Sequence, residues 1–166
     1  MQQDAVPERV REYADQAVAY VRRALGVTLE YDSDTLPLLD HYLRSVPDGQ
    51  PAAVELVVAT SGAYFGEVVR RRLGGRWELT GEDQDWRVVL PTGLNFSPAG
   101  FVASAIAQAD LDDLDTSLDA PPRMRPYVQQ TLQRMARYRS RITTRCAVGS
   151  TRSSTSTRCS SRSPRR

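Results

Sequence analysis

Glu67 has the strongest claim to chemistry in this 166-residue chain, because it falls inside the apolar run Val54 to Val69. A carboxyl group walled by apolar side chains pays for its charge, so its pKa rises toward the range useful to a general acid or base. Tyr64, three residues earlier, would share that helical face and join Glu67 in a catalytic pair. Arg71, four residues later, supports the opposite expectation. An intrahelical Glu67–Arg71 pair with one further N–H or hydroxyl partner would keep the carboxylate ionised and structural.

His41, beside Asp40, is the single histidine. It could act as a base toward a nearby nucleophile, or be no more than a solvated or capping side chain. One histidine excludes a multi-histidine metal centre within one chain. Trp77 and Trp86 suit either an aromatic binding wall or cross-strand core packing. Arg70, Arg71 and Arg72 end a helix, where positive charge favours the dipole, with a phosphate contact as the functional alternative. Asp83 and Asp85 are two carboxylates in a loop, too few for a calcium cage. Cys146 and Cys159 have no metal-ligand spacing. The chain contains no P-loop, dinucleotide fingerprint, nucleophile elbow or zinc pattern, so neither a cofactor nor a metal is expected.

The elements that must position these residues follow from periodicity. Val10, Tyr13, Ala14, Ala17, Val21, Ala24 and Leu25 form an amphipathic stripe from about Pro7 to Leu25, with Gly26 past its end. Val27 to Tyr31 alternates and reads as extended. With Asp34 as N-cap, a second helix covers about Thr35 to Ser45, with Leu38, Leu39, Tyr42 and Leu43 inward. Pro47-Asp48-Gly49 is a turn. The third helix runs from near Pro51 to Leu73 and, apolar almost all round, belongs at the centre. Gly62 and Gly66, four apart inside it, imply close approach by a neighbour, since each costs about 1 kcal/mol relative to alanine.

Three short strands follow, around Trp77–Leu79, Trp86–Leu90 and Leu94–Phe96. Ser97 and Pro98 then read as N-cap and first residue of a fourth helix to about Ala109. Asp110 to Asp119 is an acidic linker. A last helix covers about Tyr127 to Tyr138, with Val128, Leu132 and Met135 along its inner edge.

Charge divides the chain. All 22 basic residues are arginine, a bias we read as GC-rich coding, as in a bacterium with such a genome. Before residue 139 fourteen arginines stand against all twenty acids; from 139 onward there are eight arginines and no acid. The body is therefore acidic and residues 139–166 form a basic Arg/Ser/Thr tail, too polar to offset chain entropy and expected to be disordered. Such a tail fits a nucleic-acid arm that neutralises phosphates without reading sequence. The abrupt loss of acids and of apolar periodicity fits an unselected or out-of-frame extension better. The polar N-terminus, and Glu55 and Glu67 interrupting the most apolar segment, argue against a secretory signal and a membrane span, which points to the cytoplasm.

The run Gly62-Ala63-Tyr64-Phe65-Gly66-Glu67-Val68-Val69-Arg70-Arg71, followed by Leu73-Gly74-Gly75-Arg76-Trp77, resembles a signature of small bacterial proteins of unknown function. Leu29 to Leu36, with Leu39-Asp40, is similar to the segment that precedes it there. The resemblance spans about residues 10–110 and implies a fold without implying an activity.

Together these features predict one α+β domain over residues 5–138, about five helices on a three-stranded antiparallel meander. We expect a non-enzymatic interaction or regulatory module whose acidic body meets a basic protein partner. The rivals are an enzyme centred on Glu67 and Tyr64, and nucleic-acid contact through the tail.

Overall fold

The structure, a computed structural model, describes residues 6–46, 50–107, 118–131 and 133–134. The chain divides into two units, Met1–Val128 and Gln129–Arg166. The first is an α+β assembly of helices against one antiparallel sheet.

Helix α1 spans Glu8–Leu25 and buries Val10, Ala14, Ala17 and Val21, the stripe that its spacing predicts; Ala24 alone of that set is exposed. Pro7 stands just outside as N-cap, and Gly26 ends the helix at φ 71°, a left-handed conformation open to glycine at little cost. The segment from Val27 to Tyr31 pairs with none of the described strands; Leu29 anchors it by burial.

The second helix starts differently from expectation. Asp32, not Asp34, is the capping residue. Its carboxylate accepts from the N–H groups of Asp34 and Thr35, both at 3.0 Å, and opens a 3-10 turn over Ser33–Thr35. Helix α2 then covers Leu36–Arg44, with Leu39 and Leu43 buried. Pro37 falls in its first turn, where a missing N–H costs nothing.

Helix α3, Pro51–Leu73, is the central element. It packs most extensively on α1 and next on α4, Pro98–Ile106, and is buried from Thr60 to Val68 except at Phe65, which is partly exposed. By length and composition α3 is apolar enough to cross a membrane, with mean hydropathy 1.3 over its most apolar window despite Glu55 and Glu67; 44% of that window is buried in this fold. Its two internal glycines are where neighbours approach closest. A Cβ on Gly62 would lie 2.9 Å from the backbone N and Cα of Ala99 in α4, and one on Gly66 would lie 2.2 Å from the indole of Trp77.

Strands β1, Arg76–Glu78, β2, Arg87–Val89, and β3, Asn95–Phe96, form the expected antiparallel meander. A fourth strand corrects the three-strand expectation. Leu118–Asp119, β4, pairs with β3 through Phe96↔Leu118 and Asn95↔Asp119. Val88, Leu90 and Phe96 turn inward, and Phe65, Phe96 and Phe101 meet edge-on or tilted with centroids 5.6–6.0 Å apart, so the sheet is fastened to α3 and α4 by aromatic contact. Ser97 caps α4 by accepting from the Gly100 N–H at 3.1 Å, as its position before Pro98 predicts.

A fifth helix, α5, opens at residue 125 of the first unit. In the second unit, the described residues 129–131, 133 and 134 are helical and exposed. The Pro47–Gly49 turn, most of the acidic linker, Leu132, Met135, both cysteines and the basic tail lie outside the described residues.

Candidate functional site

Glu67 stands in the last third of α3, its side chain 2% exposed. Both carboxylate oxygens are engaged. Arg70 grips them in a fork, Nε to Oε2 at 2.8 Å and Nη2 to Oε1 at 2.9 Å. Arg71 donates its Nε to Oε1 at 2.7 Å, and the Trp77 indole N–H reaches Oε2 at 3.3 Å. The indole can do so because Gly66 leaves room for it, and because the Gly74-Gly75 stop turns the chain from α3 directly into β1.

Burial is the largest influence on this carboxyl group and pushes its pKa up. The hydrogen bonds from Arg70, Arg71 and Trp77 outweigh it and hold the group below its ordinary value. The raised pKa suggested by the apolar surroundings is therefore corrected: the guanidiniums, invisible to a count of apolar neighbours, reverse the sign. Arg71 matches the ion pair read from helical spacing. Trp77 supplies the further N–H, and Arg70 adds a second guanidinium.

Arg71 extends the network. Its guanidinium lies 4.2 Å from the centre of the Tyr31 ring. Tyr31 donates its hydroxyl to Asp15 of α1 at 2.6 Å and packs on the Tyr64 ring at 5.1 Å. Burial, reinforced by Asp15, pushes the Tyr31 phenol far above its usual range. Tyr31 is also, among the described residues, the non-glycine residue with positive φ, at 20°. Neither Tyr31 nor Asp15 was legible as part of a site. Their partners come from other elements, and a tyrosine after an extended segment carries no signal of its own.

Tyr64 is fully buried beside Glu67 but works elsewhere. Its hydroxyl pairs with the Thr35 hydroxyl at 2.7 Å, tying α3 to the turn before α2, and burial raises its pKa. The geometry thus does not join Tyr64 and Glu67 into an acid–base pair. His41 is exposed on α2, in none of these contacts. The two tryptophans do not face one another across strands. Trp77 pairs with Val88, whereas Trp86 precedes β2 and packs on Tyr13 at 5.6 Å.

Asp83 accepts from the Tyr13 hydroxyl at 2.6 Å and pairs with Arg9 at 2.8 Å; Asp85 accepts from the Glu82 N–H at 3.3 Å within a capping box. Both carboxylates are thus spent on fixing the β1–β2 loop. Among the described residues no group of three or more His, Cys, Asp or Glu side chains is placed to hold a metal.

Of the depressions that border these networks, two reach Glu67 and Asp83. One, of about 320 Å³, is lined by Val6, Arg11, Ala14, Tyr31, Glu67 and Arg71. The other, of about 460 Å³, lies between α1, the first half of α3 and the β1–β2 loop, with Tyr13, Ala52, Leu56 and Ala59 as apolar lining and Glu55, Glu82 and Asp83 as acids. No protein-family model, curated protein or solved structure matches this chain.

Proposed function

We propose that this chain is a non-enzymatic interaction module that receives a basic, amphipathic protein segment. The observation that carries this proposal is the saturation of Glu67. Two guanidiniums and an indole occupy its oxygens and hold it ionised, so it has neither the proton nor the free lone pair that acid–base work requires.

The surface that fits such a partner is the groove at the β1–β2 loop. Leu56 is 42% exposed there, and the acids outnumber the one arginine, Arg9, which is already paired with Asp83. An apolar floor with an acidic rim suits a helix with leucines on one face and arginines beside them, the helix-in-groove mode of recognition. Charge complementarity would chiefly speed encounter and suppress wrong partners.

The test is fluorescence anisotropy of a labelled Arg/Leu amphipathic peptide against the full chain. We expect saturable binding that weakens with salt and falls at least about tenfold in Leu56→Asp. A Glu30→Gln variant, altered outside the groove, should bind as the parent does. Equal binding by Leu56→Asp would refute the groove as the docking surface.

A further inference from the structure

The smaller depression is independent of that groove, and its chemistry has the opposite sign. We propose that it binds a small monocarboxylate with a short apolar body, held between Arg11 and Arg71. Arg71 is fixed from two sides, by the Glu67 oxygen at its Nε and by the Tyr31 ring, over which its Cζ lies. Among the described residues the protein takes only Nε from this guanidinium, and the side chain stays about half exposed. The two Nη groups are therefore left to an incoming ligand, on a side chain whose ordering cost has been met within the fold.

Arg11 lines the same depression from α1, is exposed and forms no ion pair among the described residues. Glu67 also lines it but is already gripped by Arg70 and Arg71, so Arg11 adds a positive charge that no described acid pairs. The rest of the lining, Val6, Ala14 and Tyr31, is largely apolar. A volume of about 320 Å³ is at the low end for small-ligand sites, roughly 300–1,000 Å³.

A guanidinium fork matches the two oxygens of a carboxylate. An inorganic phosphate has no apolar body and would gain nothing from Val6 and Ala14. Asp15, bonded to the Tyr31 hydroxyl, disfavours a second negative charge beside that ring. The Glu67 cluster is on this view a positioning device for Arg71.

Benzoate is a suitable probe, with benzamide as its neutral isostere and inorganic phosphate as the competing anion. Each is titrated into the full chain while the arginine Nε–H resonances are followed by NMR. Benzoate should produce saturable shifts at Arg11 and Arg71, benzamide none, and phosphate weaker ones. Arg11→Gln should weaken benzoate about five- to tenfold at unchanged melting temperature, while Arg72→Gln, an exposed neighbour outside the lining, should not. Equal response to benzamide, or an unaffected Arg11→Gln, would overturn the site. Tighter binding of phosphate than of benzoate would overturn the carboxylate assignment.

Discussion

The indole of Trp77 occupies the space in which a side chain on Gly66 would lie. A Cβ there would fall 2.2 Å from Cη2 and 2.6 Å from Cζ2, with Pro98 at 2.8 Å on another side. The glycine inside α3 is thus the complement of the tryptophan on β1, and the contact delivers the indole N–H to Glu67. Gly66→Ala should therefore destabilise the protein although alanine favours helix by about 1 kcal/mol. Overpacking costs about 1–3 kcal/mol, so a net loss of up to about 2 kcal/mol and a lowered melting temperature are expected. Gly62→Ala should cost more, because it meets the Ala99 backbone, which cannot swing aside. Thermal unfolding of both variants decides the matter; an unchanged or raised melting temperature for Gly62→Ala would place α4 wrongly.

Removing the Glu67 carboxylate should be worse than blunting it. Glu67→Ala leaves Arg70 half-buried beside an empty space, and breaking a buried pair from one side costs about 3 kcal/mol. Glu67→Gln keeps the volume and one carbonyl acceptor, so about 1–2 kcal/mol is expected. Urea unfolding gives both values. If the order were reversed, the carboxylate would be a burden on the fold and its arginines incidental.

Acid should erase that advantage in a defined window. The folded-state pKa of Glu67 lies below its ordinary value of 4.5, so its contribution is present above about pH 4.5 and is lost as pH falls through the folded value. Other carboxylates titrate nearby, so the informative quantity is the stability difference between the parent and Glu67→Gln. That difference should be constant from pH 7 to about pH 5 and shrink steadily below. A gap that widens on acidification would mean that burial outweighs the arginines and the folded pKa is raised.

Much of this arrangement was legible where one element states its own rule. The stripe of α1, the Ser97-Pro98 start of α4 and the glycines of α3 each report a local constraint, and the structure meets them. What escaped depends on partners distant in sequence. Strand β4 is two residues at the end of an acidic run, too short for alternation to register, and exists because β3 offers an edge. Asp32 and Asp34 are equivalent as caps by residue type; Asp32 prevails because it takes the extended conformation, at φ −124° and ψ 168°, from which its side chain reaches back to two N–H groups. For Glu67 the ion pair was legible and the sign of the pKa was not, since that sign is set by three donors, one of them ten residues away on a strand.

Ser61 offers a last check on the core. It lies on α3 between Thr60 and Gly62, 1% exposed, and its hydroxyl has no hydrogen-bond partner among the described residues. Thr60 beside it shows the alternative, bonding back to the Leu56 carbonyl at 2.7 Å. An unpaired buried hydroxyl costs about 1–3 kcal/mol, and alanine is the better helix former, so both terms favour Ser61→Ala. The variant leaves a space of one oxygen atom, a smaller loss. A gain of about 1 kcal/mol is expected, seen as a rise of a few degrees in melting temperature. In Ser61→Val the same hydroxyl is lost but volume is added to a packed interface, so that variant should be less stable than Ser61→Ala. If Ser61→Ala proved less stable than the parent, the hydroxyl would have to be partnered in solution, and a polar contact would run through the centre of α3.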